Sequence, residues 1–71
     1  MADRPVLTER EQQIVQLLAL GLPNKEIARR LFLSESTIKS HLSHMYAKLG
    51  VSSRVAAVTR SLELGIVDPP P

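Results

Sequence analysis

Apolar positions recur along the chain at the three- and four-residue spacing of an α-helix, in four separate segments. Residues three and four apart share one face of a helix, so this spacing predicts amphipathic helices. No segment shows the strict alternation of apolar and polar residues that predicts a half-buried strand. The repeating apolar residues of the first two segments are Ile14, Val15, Leu17 and Leu18, followed by Ile27, Ala28 and Leu31.

Residues that cap helices lie at the boundaries of these segments. Thr8 and Glu11 have the spacing of a capping box, in which a hydroxyl and a carboxylate each bind a free backbone N–H. Asn24 and Ser34 are the predicted N-caps of the second and third helices, and the pair Ser52 and Ser53 is expected to supply the N-cap of the fourth. Glycines that can adopt the left-handed conformation follow the first, third and fourth. The predicted helices span about residues 8–20, 25–31, 35–49 and 54–64.

We expect one all-α domain, a compact four-helix bundle that contains a helix-turn-helix. The 71 residues suffice for a single hydrophobic core, and without cysteine that core depends on packed apolar side chains. The domain is expected at residues 8–67, between a flexible N-terminal tail at residues 1–7 and a proline-rich tail at residues 68–71. The longest apolar run, Leu17 to Leu20, is far shorter than the roughly 20 residues of a membrane-spanning helix. We therefore expect a cytoplasmic protein with no membrane partner.

Positive charge is concentrated in the middle of the chain. The formal net charge is +2, but residues 24–54 alone hold six basic residues against two acidic ones. An anionic partner should therefore meet this segment. Phe32 and Tyr46 are the only aromatic residues, which argues against the base-stacking surfaces that bind single-stranded nucleic acid. Duplex binding does not require such surfaces.

The third predicted helix has two opposite faces of different character. Its core stripe, at helical spacing, consists of Ile38, Leu42, Met45 and Leu49. The opposite face is a small-residue ridge, which consists of Ser36, Ser40, Ser43 and Ala47. Hydrogen-bond donors border the ridge, with Lys39 and Tyr46 on one edge and Thr37, His44 and Lys48 toward the other. A slim face bordered by donors suits a helix that enters the major groove of DNA.

Four blocks of sequence occur together in a fixed order: Leu7–Glu11, Gly21–Ala28, Ser34–His41 and Lys48–Val51. As a set they resemble the LuxR-type helix-turn-helix family, and most of all the output domains of NarL/FixJ-type response regulators. The resemblance implies a four-helix bundle that binds promoter DNA, usually as a dimer on two half-sites, and regulates transcription in bacteria. It also implies that the third helix reads the major groove and that the fourth supplies the dimer contact.

The resemblance assigns roles to individual residues by their position in these blocks. Lys39, Ser40 and Ser43 match positions that contact base edges. The expected phosphate contacts are Lys25, Thr37 and Lys48 by motif position, together with Ser36 and His44. On the fourth helix the outward-facing residues form the candidate dimer surface, which consists of Val55, Ala56, Thr59 and Leu62.

Other functions remain open from the sequence. The main alternative is a protein-interaction module that docks an acidic partner such as RNA polymerase, and a promoter-recognition module like that of a sigma factor is another. We expect no enzyme, because paired carboxylates and a glycine-rich phosphate loop are absent. We also expect no metal and no cofactor, since His41 and His44 have no cysteine or third histidine to complete a site. Leu20 is either a singly exposed leucine or a contact to a partner domain.

Overall fold

The computed structural model describes residues 5–69, which form four α-helices and no strand. The all-α prediction is confirmed, and each helix boundary lies within one residue of its predicted position. The predicted tails fall partly outside the described residues, at 1–4 and at 70–71. Within the described range, no helix is long and apolar enough to cross a membrane. The helices are α1 (Glu9–Ala19), α2 (Asn24–Leu31), α3 (Glu35–Leu49) and α4 (Arg54–Glu63).

Three of the four predicted N-caps are confirmed. The Thr8 hydroxyl accepts a hydrogen bond from the Glu11 backbone N–H at 3.1 Å, and the Glu11 carboxylate accepts one from the Thr8 backbone N–H at 2.8 Å. These two bonds complete the capping box of α1. Ser34 and Ser53 each accept a bond from the backbone N–H three residues further on, at 3.1 Å. The local signals in the sequence therefore set where α1, α3 and α4 begin.

Asn24 is not the N-cap of α2, so this prediction was wrong. Pro23 holds the cap position with φ −72° and ψ 160°, and its carbonyl accepts from the N–H groups of Glu26 and Ile27 at 3.0 Å. The proline ring presets a φ that suits an N-cap, so the helix begins one residue earlier than expected. The Asn24 side chain, which has no capping role, instead accepts a hydrogen bond from Arg54 Nη1 at 3.0 Å.

All four helices end in the same motif. One residue adopts the left-handed conformation, and the backbone N–H of the next residue bonds to the carbonyl five positions earlier. Glycine occupies the left-handed position after α1, α3 and α4, with φ between 69° and 84°. After α2 that position is taken by Phe32, with φ 57° and ψ 41°. Leu33 N–H still bonds to the Ala28 carbonyl at 2.9 Å, so the turn forms around a residue type that rarely adopts it. The sequence predicted this tight connection but not its conformation.

The core lies mainly between α1, α2 and α3, and Ala57 of α4 and Val67 are also buried. Every residue of the predicted core stripe of α3 is buried, which confirms the orientation of that helix. Leu7 is also buried, at 9% exposure, although the predicted N-terminal tail included it. Burial of a leucine side chain contributes about 2 kcal/mol, which favours packing this residue against the core over leaving it in solvent. The other core residues on these helices are Ile14, Val15 and Leu18 of α1 and Ile27 and Ala28 of α2.

Candidate nucleic-acid interface

The helix α3 exposes the whole small-residue ridge on the side opposite its core stripe. All four ridge residues are exposed, and so is Lys39. The side chains of the ridge are short, so another surface can come close to the backbone of this helix. The three residues predicted to contact bases, Lys39, Ser40 and Ser43, therefore all lie on the exposed surface of α3.

Hydroxyl groups cluster at the start of α3. The Ser34 Oγ lies 3.0 Å from Ser36 Oγ and 2.9 Å from Thr37 Oγ1, in addition to capping the helix. Ser36 is exposed and Thr37 is half-buried. A hydroxyl can donate one hydrogen bond and accept others. The two predicted phosphate contacts at this end of α3 are thus positioned by the N-cap residue itself.

Lys48, another predicted phosphate contact, forms an ion pair with a residue of the same chain, Glu11. Its Nζ lies 2.6 Å from Oε1 of Glu11, whose side chain is only 5% exposed. The same oxygen completes the capping box of α1, so Glu11 joins the first turn of α1 to the last turns of α3. Burial raises the pKa of Glu11, but the hydrogen bonds from Lys48 and the Thr8 backbone outweigh burial. The pKa of this carboxyl therefore lies below its ordinary value.

A shallow groove runs between α1 and α3 beside this ion pair. The structure brings two predicted phosphate contacts together in its wall, the exposed His44 and Lys48. It does not bring Lys25 to this place, because Lys25 lies at the start of α2. The groove is lined by Thr8, Glu11, His41, His44, Ala47 and Lys48.

Four of the eight basic side chains among residues 5–69 are ion-paired. Lys48 is one, and Arg60 contacts Glu63 at 3.7 Å. A single carboxylate, that of Glu26, contacts Arg29 at 3.7 Å and Arg30 at 3.4 Å. The remaining four have no carboxylate within 4.0 Å in this part of the chain. These unpaired cations are Arg10, Lys25, Lys39 and Arg54.

Arg54 and Asn24 form a contact that the sequence analysis did not identify. Arg54 is the first residue of α4, and its bond to the Asn24 side chain joins the start of α4 to the start of α2. Both residues are half-buried. They lie 30 positions apart, so no local pattern signals their contact. The sequence showed Arg54 only as part of the central excess of positive charge.

The predicted dimer surface on α4 is mostly exposed. Val55 is 75% exposed and Leu62 is 36% exposed, Thr59 is exposed, and Ala56 is half-buried. Ala57 and Ser61, on the opposite face, are buried in the bundle. The outer face of α4 therefore offers a small, weakly apolar patch.

The chain is similar to several bacterial proteins. The nitrate/nitrite response regulator protein NarL of Escherichia coli strain K12 is 57% identical over 51 residues, which cover 72% of this chain and 24% of NarL. The spore germination protein GerE of Bacillus subtilis strain 168 is 44% identical over 63 residues, which cover 89% of this chain and 85% of GerE. The solved structure of the transcription factor GerE matches with a TM-score of 0.83 and 42% identity, covering 87% of this chain and 92% of that one.

The matched proteins differ greatly in length. A putative HTH-type transcriptional regulator of Mycobacterium bovis is 49% identical over 59 residues, which cover 83% of this chain but only 7% of that protein. The shared part is therefore a domain that occurs both nearly alone, as in GerE, and as a small fraction of long regulators. The family of bacterial regulatory proteins called luxR matches residues 5–61. With most of its sequence matched and its fold shared, this chain belongs to the luxR family of bacterial regulatory proteins.

Proposed function

We propose that this domain binds double-stranded DNA sequence-specifically as part of a bacterial transcription regulator, with α3 in the major groove. The observation that carries the proposal is that all four residues of the small-residue ridge are exposed, beside Lys39, which has no carboxylate partner among residues 5–69. A helix that reads base edges needs a slim face and donors at its border. Membership of the luxR family, whose members are DNA-binding regulators and not enzymes, supports the same function.

In this proposal Lys39, Ser40 and Ser43 contact bases, while phosphate contacts set the register of the domain on the duplex. Lys25, Ser36, Thr37, His44 and Lys48 supply those phosphate contacts. Lys48 keeps two of its three N–H donors for a phosphate, but Glu11 already offsets its charge, so we expect a smaller contribution from Lys48 than from Lys25.

We propose a weak homodimer that forms on DNA through Val55, Ala56, Thr59 and Leu62. A patch of this size is too small to hold a stable dimer by buried area alone. Two half-sites on one duplex would supply the missing association energy, with centres about 10 base pairs apart. The cytoplasm is the compartment that we propose, since bacterial DNA is found there.

A second candidate function is contact with an acidic protein such as RNA polymerase. The exposed surface around the end of α2 favours it. Phe32 is 95% exposed there, and Arg29 and Arg30 are exposed on the preceding turn. An exposed aromatic side chain beside guanidinium groups is typical of protein contact sites. Such a contact would add to DNA binding and not replace it.

The test is a selection of bound sequences from a random duplex pool, followed by affinity measurements at several salt concentrations. We expect an enriched motif, a dimeric spacing of about 10 base pairs, and a steep loss of affinity as salt rises. The selected duplex should bind at least about 10³-fold more tightly than random duplex. Binding that yields no enriched sequence, or that does not depend on salt, would rule out the proposed function.

A further inference from the structure

We propose that Arg54 is a phosphate-binding residue of this domain, oriented by Asn24, and that it acts together with Lys25. The inference rests on the proposed function, because it adds a contact to the same duplex. The partner that this chemistry recognises is the phosphodiester backbone. The proposal follows from the charge balance around Arg54, from the neutrality of its one partner and from its neighbour Lys25.

Arg54 differs from the other basic side chains that the structure describes. It is the one lysine or arginine among residues 5–69 that is half-buried, whereas the other seven are exposed. It also has no carboxylate within 4.0 Å among those residues. A guanidinium stays charged in proteins, and removing a charge from water without a counter-charge costs free energy. An external anion would supply the missing counter-charge.

Asn24 fixes the orientation of the Arg54 side chain but does not neutralise its charge. The Asn24 amide oxygen is neutral and accepts one hydrogen bond, from Nη1 at 3.0 Å. The guanidinium has five N–H donors in a rigid fork, so most of them stay available. A guanidinium group whose orientation is already fixed loses less conformational entropy when it binds a phosphate with two hydrogen bonds. Asn24 is therefore a positioning residue, and Arg54 is the residue that binds.

Lys25 places a second uncompensated cation next to this pair. It directly follows Asn24, is exposed, and has no carboxylate partner in the described chain. The bond between Asn24 and Arg54 thus brings two free positive charges to the adjoining starts of α2 and α4. Glu26, in the first turn of α2, contacts Arg29 and Arg30 of the last turn and offsets one of their two charges. Lys25 and Arg54 make no such contact with a carboxylate in the described chain, so a DNA backbone is attracted to the starts of α2 and α4.

Arg54→Gln tests the charge, and Arg60→Gln is the matched control. Arg60 lies on the same helix and is already paired with Glu63. Affinity for a random duplex is measured over a range of salt concentrations. We expect Arg54→Gln to lower the slope of log affinity against log salt by about 0.9, the value of one neutralised phosphate. Selected and random duplexes should lose affinity by the same factor, because phosphate contacts carry no sequence information. Arg60→Gln should leave the slope unchanged.

Asn24→Asp separates a binding role of Arg54 from a structural one. This variant keeps Arg54 and its hydrogen bond but adds a carboxylate that pairs with the guanidinium. We expect the same loss of slope as in Arg54→Gln, with no fall in Tm. A purely structural role of Arg54 would instead give Asn24→Asp the same effect on DNA affinity in the Arg54→Gln background as in the unsubstituted domain, whereas a binding role predicts a smaller effect in that background.

Three results would overturn the inference, and only one of them would also contradict the proposed function. Duplex binding by Arg54→Gln with the slope of the unsubstituted domain would overturn the inference alone. An equal effect of Asn24→Asp on DNA affinity in both backgrounds would do the same. Failure of the unsubstituted domain to bind any duplex would overturn the inference and the proposed function together.

Discussion

The Lys48 ammonium lies 2.6 Å from the carboxylate of Glu11, and that carboxylate is almost completely withdrawn from water. The two residues are 37 positions apart and join the last turns of α3 to the first turn of α1. Removing Lys48 costs more than the pair itself contributes, because the buried charge of Glu11 is left uncompensated. The same lysine is a predicted phosphate contact, so its roles in folding and in binding have to be measured separately.

Lys48→Met should lower the free energy of unfolding by about 2 kcal/mol. The value lies below the roughly 3 to 5 kcal/mol of a fully buried pair, because the lysine side chain is 37% exposed and water screens part of the interaction. Urea denaturation measures the change. Lys39→Met is the control, since Lys39 is exposed on the same helix without a carboxylate partner, and it should stay within about 0.5 kcal/mol of the unsubstituted domain. Equal losses in the two variants would refute the structural role of the pair.

The lowered pKa of Glu11 predicts how stability depends on pH. A carboxyl whose pKa is lower in the folded state stabilises the fold above its unfolded pKa of about 4.3, and this contribution is lost as pH falls through the folded pKa. We expect stability to decline from about pH 5 downward, and Glu11→Gln to remove that part of the decline. Denaturation midpoints between pH 6 and pH 3 measure the effect. Parallel curves for the two proteins would assign the acid sensitivity to other groups.

Phe32→Gly should raise the stability of the domain by about 1 kcal/mol. The left-handed backbone is unfavourable for residues with a Cβ atom, and the phenyl group is 95% exposed, so little packing is lost. Gly50→Ala is the matched control in the opposite direction, because it adds a Cβ atom at a left-handed position. A Cβ at Gly50 would meet no atom within 4 Å, so the cost of about 1 kcal/mol comes from its φ of 69° alone. Thermal denaturation of both variants checks the opposite signs.

Ser61→Ala should leave stability unchanged or raise it by up to about 1 kcal/mol. The Ser61 hydroxyl is fully buried and has no hydrogen-bond partner among residues 5–69, so its burial destabilises the fold. Alanine also has the higher helix propensity. The same substitution at Ser53 should instead destabilise by about 1 kcal/mol, because Ser53 caps α4. A clear loss of stability in Ser61→Ala would show that this hydroxyl has a partner.

Lys39→Ala should weaken binding to the selected duplex by about 1 to 3 kcal/mol and binding to random duplex much less, if Lys39 reads a base. Lys25→Ala provides the contrast, since a phosphate contact should cost a similar amount on both duplexes. Titration of both variants with both duplexes measures the four values. A loss in Lys39→Ala that is the same on both duplexes would reassign Lys39 to the phosphate contacts.

The sequence predicted those parts of the fold that depend on local signals. The capping box at Thr8 and the core stripe of α3 follow from residues within one or two turns of each other, and both appear as expected. The start of α2 was missed because two neighbouring residues could each serve as its cap. Asparagine is the more frequent cap by propensity, but the backbone of Pro23 already has the required conformation.

The candidate site was predictable only in its exposed face. The ridge of α3 follows from the helical period, so its position could be read from the sequence. The ion pairs of Glu26 with Arg29 and Arg30 follow from the same helical period, since they are three and four residues apart. The state of Lys48 and of Arg54 could not be read from the sequence, because it depends on contacts with the distant residues Glu11 and Asn24. Long-range geometry therefore decides the availability of these two cations.

The carboxylate of Glu26, which contacts both Arg29 and Arg30, has a consequence for how the affinity of this domain for polyanions can change. A single substitution to glutamine at this position would release two guanidinium groups at once. The attraction of the domain to polyanions can thus increase without the gain of any basic residue. During evolution, acidic residues on the surface of such a domain are therefore as open to selection for DNA affinity as the basic residues that they neutralise.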